Sequence, residues 1–359
     1  MAPKFSKILV LYTGGTIGMM LNQNNDLAPA ESNRFEERLR SDPNFNDASF
    51  DVGSDFLSLP AVTNEPRRII YKIKEHDKLI DSSNMGKSDW NLIADRIHYH
   101  RSDYHGFVIL QGTDTLAYTA SALSFMFENL NKPVIITGSQ KPIFETRSDG
   151  KENFISSLII AALYSPTEVC VVFGDKLLRG NRTVKVNCDS FASFDSPNFP
   201  PLGSIGVQIK VDPTRAIPAD PSDCLFTKMN TNQTICLLRI VPEMPEKQIL
   251  AALEQPVVGV VLQSFGAGNI PNCNKLLNHL TSAIDRGVVI VNCTQCLKGS
   301  VTDDYDASAG LRKIGVIFLG DITMEAAYTK LCYVMSKDIN LKEKKKMMTT
   351  NLRGELTEN

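Results

Sequence analysis

Three stretches of the chain repeat one pattern, in which a short run of aliphatic residues ends in a corner of glycine with threonine or serine. They are "KILVLYTGG", "GFVILQGTDT" and "KPVIITGSQ", which begin at Lys7, Gly106 and Lys132. Continuous apolar strands separated by helical stretches are typical of a parallel sheet that helices cover on both faces. Since ligands bind at the carboxyl ends of the strands in such a sheet, we expect the three corners to converge on one cleft.

The chain of 359 residues is longer than one hydrophobic core usually serves. The stretch "VDPTRAIPADPSDC" is rich in proline and aspartate and fits neither helical nor strand periodicity. We therefore predict a two-domain α/β protein, with a larger N-terminal domain whose parallel or mixed sheet is flanked by helices. The predicted parts are this domain at 1–210, a linker at 211–232, a smaller C-terminal α/β domain at 233–336 and a charged tail at 337–359. Because the tail has few apolar residues, we expect it to be helical only at its start and otherwise disordered.

The composition argues against several classes of partner. The formal net charge of -2 gives no overall field that would attract nucleic acid or an anionic membrane. No apolar run approaches the roughly 20 residues that span a bilayer, and the run Ile8 to Tyr12 is too short for the core of a signal peptide. We therefore expect a cytoplasmic protein that binds neither nucleic acid nor membrane.

The first corner, "TGGTIGM" from Thr13 to Met19, allows three interpretations. A phosphate site would need a lysine after the glycines, and a dinucleotide site would need the spacing G-x-G-x-x-G; the corner has neither. A purely structural role would make the glycines a tight turn, with Thr16 as the cap of the next segment of the chain. A chemical role would make a threonine hydroxyl the nucleophile, which requires a neighbouring base because the hydroxyl alone is weak.

Two other segments supply groups that favour the chemical interpretation. "QGTDT" places Thr113 and Asp114 at the end of a second strand, and "RGNRTVKV" places Lys185 beyond a third. A lysine with suitable neighbours can act as the base, oriented by the carboxylate, while Thr113 passes the proton. Such a hydroxyl–lysine–carboxylate set follows the logic of a Ser-His-Asp triad.

Together with "HGFVILQGTDTLAYTASALSFM" and "NCTQCLKGSV", these motifs resemble the cytosolic type I L-asparaginases of the bacterial-type family. The resemblance extends from about Ile8 to about Met335, and "TGGTI" followed by "GTDT" is highly specific for the family. It implies hydrolysis of L-asparagine to L-aspartate and ammonia through an acyl ester on threonine, without metal or cofactor. By this resemblance Thr16 is the nucleophile, and Thr113, Asp114 and Lys185 form the second catalytic group.

The resemblance also implies a set of substrate contacts. Asp81, Ser82 and Ser83 in "DSSNM" correspond to the segment that holds the α-carboxylate and α-amino ends of the substrate, and Asp114 also meets the amino group. Asn269 in "SFGAGN" corresponds to a contact from the neighbouring subunit, which implies a homodimer or homotetramer.

Two positions depart from the family pattern. Many members carry a tyrosine on the mobile loop after the first corner, but "LNQNNDLAPAES" has none, and Leu27 stands at about that position. Tyr305 in "SVTDDYDAS" is the candidate that would replace this phenol; the alternative is a surface tyrosine without a role. "NCTQC" resembles part of a second, regulatory asparagine site, yet Gln263 stands where the regulated pattern has an arginine, which puts cooperativity in doubt.

Other functions remain open on the sequence. A glutaminase-asparaginase would use the same groups, because one methylene changes the binding energy by only ~1–3 kcal/mol unless polar groups are misplaced. The amidase half of a tRNA-dependent amidotransferase usually has an additional N-terminal domain, whereas this sequence reaches its first strand almost at once. A binding protein that kept the fold without the chemistry is disfavoured, since every expected polar group is present.

Overall fold

The computed structural model describes residues 5–22, 26–29, 31–302 and 306–358. Within these ranges, the helices are α1 (Arg34–Ser41), α2 (Lys87–His100), α3 (Leu116–Met126), α4 (Gly150–Ile159), α5 (Glu246–Leu253), α6 (Asn274–Asp285), α7 (Asp306–Ile314), α8 (Met324–Ser336) and α9 (Leu341–Thr349). The strands are β1 (Phe5–Tyr12), β2 (Met19–Leu21), β3 (Leu27–Pro29), β4 (Leu57–Ser58), β5 (Arg68–Glu75), β6 (Gly106–Leu110), β7 (Phe127–Glu128), β8 (Val134–Thr137), β9 (Val169–Phe173), β10 (Lys176–Arg179), β11 (Val184–Lys185), β12 (Phe194–Asp195), β13 (Gly203–Ile205), β14 (Ile209–Val211), β15 (Leu225–Phe226), β16 (Thr234–Arg239), β17 (Val257–Ser264), β18 (Val289–Thr294) and β19 (Ile317–Phe318).

The larger domain is built on a mixed sheet in the order β14-β13-β10-β9-β8-β6-β1-β5-β4. Its five central strands, β5, β1, β6, β8 and β9, run parallel to one another, and the outer strands are antiparallel. Strands β6, β8 and β9 are buried along their whole length because both faces of the sheet are covered, and β1 is buried from Ile8 to Tyr12. Strand β5 is more mixed and carries charged residues such as Lys72 and Lys74. The predicted fold class, including the parallel centre of this sheet, is confirmed.

The smaller domain has a four-stranded parallel sheet in the order β16-β17-β18-β19. Helices α3 and α8 pack together where the two domains meet, and the rings of Phe125 and Tyr333 stack there with their centroids 6.2 Å apart. One hydrophobic cluster runs across this junction, so that Leu123 of the larger domain and Leu331 of the smaller domain share a core. No helix in the described part of the chain has the length and apolar character needed to cross a membrane.

The segment at 211–232, predicted to be a linker, lies against the larger domain. Its strand β15 pairs antiparallel with β7, at the end of α3. Arg101 donates to the carbonyl of Cys224, 2.8 Å away, and Thr167 donates to the carbonyl of Ile217, 3.0 Å away. These contacts hold the connection between the domains against the larger domain.

Residues 337–359 begin with the predicted helix, but the prediction that the rest is disordered is wrong for the described part of the segment. Helix α9 begins at an Asn340 cap, whose side chain accepts from the N–H of Glu343 at 3.0 Å. The chain then packs into the molecule, where Met348 and Glu355 are fully buried. The composition did not predict this order, because a polar segment can bury a carboxylate that has a cation to pair with. Here the carboxylate of Glu355 lies 2.6 Å from the buried ammonium of Lys330.

Candidate active site

The first corner connects β1 to a 3₁₀ turn at Thr16–Gly18, at the edge of the sheet where the parallel strands have their carboxyl ends. Gly14 and Gly15 have φ angles of 121° and 88°, a region that suits glycine alone. A Cβ on Gly15 would lie 2.2 Å from the backbone nitrogen of Gly112, and one on Gly14 would lie 2.5 Å from the carbonyl oxygen of Ile80. The two glycines therefore let three segments touch, and they leave the half-buried Thr16 at the meeting point.

The second corner, from β6 to α3, abuts the first through Gly112. Gln111 beneath it is fully buried and donates to the hydroxyl of Thr119 at 2.9 Å, which ties the end of β6 to the first turns of α3. Thr113 is almost buried, whereas Asp114 is exposed. The corner thus presents one sheltered hydroxyl and one carboxylate that reaches solvent.

Lys185 comes from β11, 72 residues further along the chain than Thr113. Its ammonium lies 2.9 Å from Thr113 Oγ1 and 2.7 Å from Asp114 Oδ1. The lysine side chain is 20% exposed and the aspartate 63%, so the pair is only partly shielded from water. The structure therefore brings together the hydroxyl, lysine and carboxylate that the two motifs predicted.

The "DSSNM" segment forms a 3₁₀ turn at Ser82–Asn84, capped by Asp81, whose carboxylate accepts from the N–H of Ser83 at 3.1 Å. Ser82 is buried and joins this turn to the second corner: its hydroxyl oxygen accepts from the N–H of Asp114 at 3.2 Å, and its carbonyl accepts from Thr115 at 2.7 Å. Asp81 and Ser83 are exposed beside it. The three predicted binding residues therefore border the Thr113–Lys185 cluster, and Ser82 has a structural role that the motif did not indicate.

The remaining two predicted residues are Asn269 and Tyr305. Asn269 belongs to the smaller domain, in the loop after β17, and its backbone exchanges hydrogen bonds with Phe265 at 2.8 and 2.9 Å. Its side-chain oxygen is buried and has no hydrogen-bond partner among the described residues. Tyr305 lies outside the residues that the structure describes, so its predicted role stays a prediction.

Sequence reasoning missed Gln140, which follows the third corner. Its side-chain oxygen accepts from the hydroxyl of Thr113 at 3.3 Å. Its backbone N–H lies 3.0 Å from both carboxylate oxygens of Asp149, a buried residue at the start of α4. The signal was present in the sequence, because "TGSQ" ends a strand at the same edge as the other two corners.

Buried titratable groups line the same edge of the sheet at the ends of β1 and β5. Burial raises the pKa of the Glu75 carboxyl and, with the nearby Glu75 charge, that of the Tyr12 phenol. Burial also lowers the pKa of His76 to about 4, with a smaller contribution from Arg96. The phenol and the imidazole are therefore neutral at pH 7 and add no charge to this edge of the sheet.

Comparison with known families matches both domains. The family described as "Asparaginase, N-terminal" matches residues 7–216, and the one described as "Glutaminase/Asparaginase C-terminal domain" matches residues 234–348. The chain therefore belongs to the asparaginase family. Among solved structures, L-asparaginase I from Vibrio cholerae is 41% identical with a TM-score of 0.85, covering 98% of this chain and 99% of that one.

Curated relatives extend the comparison. An L-asparaginase of Dirofilaria immitis is 45% identical over 98% of this chain, and a 60 kDa lysophospholipase of Homo sapiens is 42% identical over 98%. The chain spans only 60% and 61% of the length of these two proteins. L-asparaginase 1 of Escherichia coli K12 is 42% identical, with 98% of both chains covered. The predicted resemblance to the L-asparaginases is confirmed at the level of the family.

Proposed function

We propose that the protein hydrolyses L-asparagine to L-aspartate and ammonia through an acyl ester on Thr16. The contact of Lys185 with both Thr113 and Asp114, at 2.9 and 2.7 Å, is the observation that carries the proposal. A base that is oriented by a carboxylate and linked to a hydroxyl is the arrangement that an alcohol nucleophile requires. The names of the Dirofilaria and Escherichia coli relatives support the same reaction.

In the proposed reaction, the hydroxyl oxygen of Thr16 attacks the side-chain amide carbon of asparagine. The proton of that hydroxyl moves to Thr113, and the proton of Thr113 moves to Lys185, which has to be in its neutral amine form to accept it; no charge is then left on the nucleophile. Collapse of the tetrahedral intermediate breaks the C–N bond, and the nitrogen leaves as ammonia after taking up the proton that Lys185 had received. Water then attacks the ester, which releases aspartate and returns the proton to Thr16.

The two charged ends of the amino acid need opposite partners on one side of the reacting carbon. Asp81 and Asp114 are exposed carboxylates that would face the ammonium group, while the hydroxyls of Ser82 and Ser83 would donate to the α-carboxylate. The oxygen of Ser82 is already used to accept from Asp114, but its proton stays available for this bond. The proposed set therefore recognises a small zwitterion and needs no cofactor.

A homodimer or homotetramer is part of the proposal, because Asn269 would reach the cleft of the neighbouring subunit. The oxygen of its side-chain amide is buried and has no hydrogen-bond partner among the residues that the structure describes. The NH₂ group of an asparagine is a hydrogen-bond donor, which would suit a substrate carboxylate across an interface. Sedimentation of the protein would test the assembly, and an active monomer would remove this role of Asn269.

Ammonia release tests the function directly. Wild-type protein should release ammonia from L-asparagine, and Thr16→Ala should reduce the rate by at least about 10³-fold, as expected for the loss of a nucleophile. Parallel assays with other substrates would separate the alternatives. Turnover of L-glutamine tests the glutaminase alternative, and turnover of lysophosphatidylcholine micelles tests the lysophospholipase reaction for which the human relative is named. Turnover of L-asparagine that survives in Thr16→Ala would contradict the proposed nucleophile.

A further inference from the structure

The contact between Gln140 and Thr113 fixes the direction of a hydroxyl proton. A threonine hydroxyl has one proton to donate and two lone pairs. At Thr113 one lone pair accepts from the Lys185 ammonium at 2.9 Å, and the proton points to Gln140 Oε1 at 3.3 Å. The second lone pair therefore stays free to receive a proton from elsewhere in the cleft.

The orientation of the Gln140 amide is determined by its other partners. Its NH₂ group lies 3.2 Å from the carbonyl oxygen of Cys188 and 3.4 Å from that of Ser190. If the amide were turned over, its oxygen would face two carbonyl oxygens, and its nitrogen would face a hydroxyl that already accepts from an ammonium. The arrangement with the oxygen toward Thr113 is the one in which every group is paired.

The backbone of Gln140 is held just as firmly. Its N–H lies 3.0 Å from both carboxylate oxygens of Asp149, and that carboxylate also accepts from the N–H of Lys141 at 3.1 Å and the side chain of Asn153 at 3.3 Å. Asp149 and Asn153 are buried, so this anchor does not depend on exposed side chains. Both ends of Gln140 are thus fixed before a substrate arrives.

We propose that Gln140 is a positioning residue, whose side-chain oxygen accepts a hydrogen bond from the hydroxyl of Thr113 whenever Lys185 is protonated. This inference rests on the proposed function. When Thr16 attacks, its proton moves to Thr113 and the former proton of Thr113 moves to Lys185. The ammonium so formed donates back to Thr113, whose new proton needs an acceptor other than the lysine. Gln140 Oε1 is that acceptor, so the charged state formed during the attack leaves no buried donor unpaired.

The NH₂ group of Gln140 also binds the loop that contains Cys188 and Ser190. Two substitutions separate the proposed role at Thr113 from an effect on this loop. Gln140→Met keeps the length of the side chain but removes the acceptor, and kcat for L-asparagine at its pH maximum should fall about 10- to 100-fold, with KM within about twofold. Gln140→Glu keeps an oxygen toward Thr113 but loses both donors to the loop, and it should retain kcat within about fivefold of the wild type. Gln140 is only half-buried, so both variants should fold, which melting curves would verify.

A loop control uses Asn187, an exposed residue whose side chain accepts from the N–H of Asp189 at 2.7 Å in the same loop. Asn187→Ala loosens the loop without touching Thr113, so its kcat should equal that of the wild type. Unchanged kcat in Gln140→Met would overturn the inference alone. Equal losses of kcat in Gln140→Met and Gln140→Glu would also overturn it, because the loss would then come from the missing hydrogen bonds between the NH₂ group of Gln140 and the loop. A wild-type protein that releases no ammonia would overturn the proposed function, and this inference with it.

Discussion

Lys330 of α8 and Glu355 of the C-terminal segment form an ion pair at 2.6 Å in which neither side chain is exposed to solvent. The lysine also donates to the carbonyls of Met348 and Thr350 at 3.0 and 2.6 Å. The glutamate accepts from the backbone N–H of Leu352 at 3.0 Å. Every charge in this pair is therefore hydrogen-bonded, which is the condition under which a buried ion pair is tolerated.

Removal of one partner of this pair should destabilise the protein strongly. Lys330→Met leaves the carboxylate of Glu355 buried without its cation, and we expect the free energy of unfolding to fall by about 3–5 kcal/mol. The double variant Lys330→Met with Glu355→Leu should recover most of that loss, because no charge is left in the interior. Urea denaturation of the three proteins checks this, and a loss below about 1 kcal/mol in the single variant would contradict it.

The corner glycine Gly15 should tolerate no side chain. Gly15→Ala combines a positive φ of 88° with a Cβ placed 2.2 Å from backbone, and backbone atoms cannot move aside as a flexible side chain can. We expect a loss of more than about 3 kcal/mol in the free energy of unfolding, together with loss of activity, since the corner also places Thr16.

Gly53 provides the matched control for this substitution. It has a similar φ of 79°, but a Cβ there would meet nothing within 4 Å. Gly53→Ala should therefore lower the free energy of unfolding by only about 1–2 kcal/mol, the amount that a positive φ costs a residue with a side chain, and it should leave activity unchanged. Equal costs at the two positions would show that the close approach of Gly15 to Gly112 contributes nothing.

His76 should make the stability depend on pH. Its pKa is about 4 in the folded protein because it is buried, against an ordinary value of 6.5, so folding favours the neutral ring. The stabilisation is complete above pH 6.5 and is lost as the pH falls from 6.5 through 4, by up to about 3 kcal/mol. His76→Gln should flatten the plot of unfolding free energy against pH in this window. His98→Gln, at an exposed position, should not; equal slopes in all three proteins would contradict the prediction.

Lys185 should be needed for turnover rather than for folding. Lys185→Met removes the proposed base, and we expect kcat to fall about 10²- to 10⁴-fold with little change in the melting temperature, because the pair with Asp114 is partly exposed. Lys228 forms an exposed pair with Asp95 at the same distance of 2.7 Å. Lys228→Met should leave kcat unchanged, and similar rates in the two variants would remove Lys185 from the mechanism.

The architecture of the larger domain could be predicted because the central strands β1, β6, β8 and β9 contain continuous runs of buried apolar residues. The run from Ile8 to Tyr12 is buried throughout, as a central parallel strand requires, and each such run ends in the turn residues that mark its carboxyl end. From these two facts the meeting of Thr16, Thr113 and Gln140 at one edge follows. The link from Lys185 to Thr113 spans 72 residues, and local pattern alone gave no distance for it.

The C-terminal segment could not be predicted, because its order depends on partners far away in the sequence. Arg182, which is 1% exposed, donates to the carbonyl of Gly354 at 2.7 Å and to Asp321 at 2.8 Å. Asn181 beside it donates to the carbonyl of Arg353 at 2.8 Å. A polar composition predicts disorder only when the folded domains have no buried hydrogen-bond donors that can bind the backbone of the segment. The place of Gln140 at the edge of the sheet followed from the strand pattern, but its role did not, because that role is defined by its contacts and not by a motif.

The most direct test of the central claim is to trap the acyl ester. Wild-type protein mixed with L-asparagine and quenched in acid within milliseconds should gain the mass of one aspartyl group, and fragmentation should place that mass on the peptide that contains Thr16. Thr16→Ala should gain none. Ammonia release by the wild type with no adduct at any quench time, or an adduct on a peptide that lacks Thr16, would contradict the account.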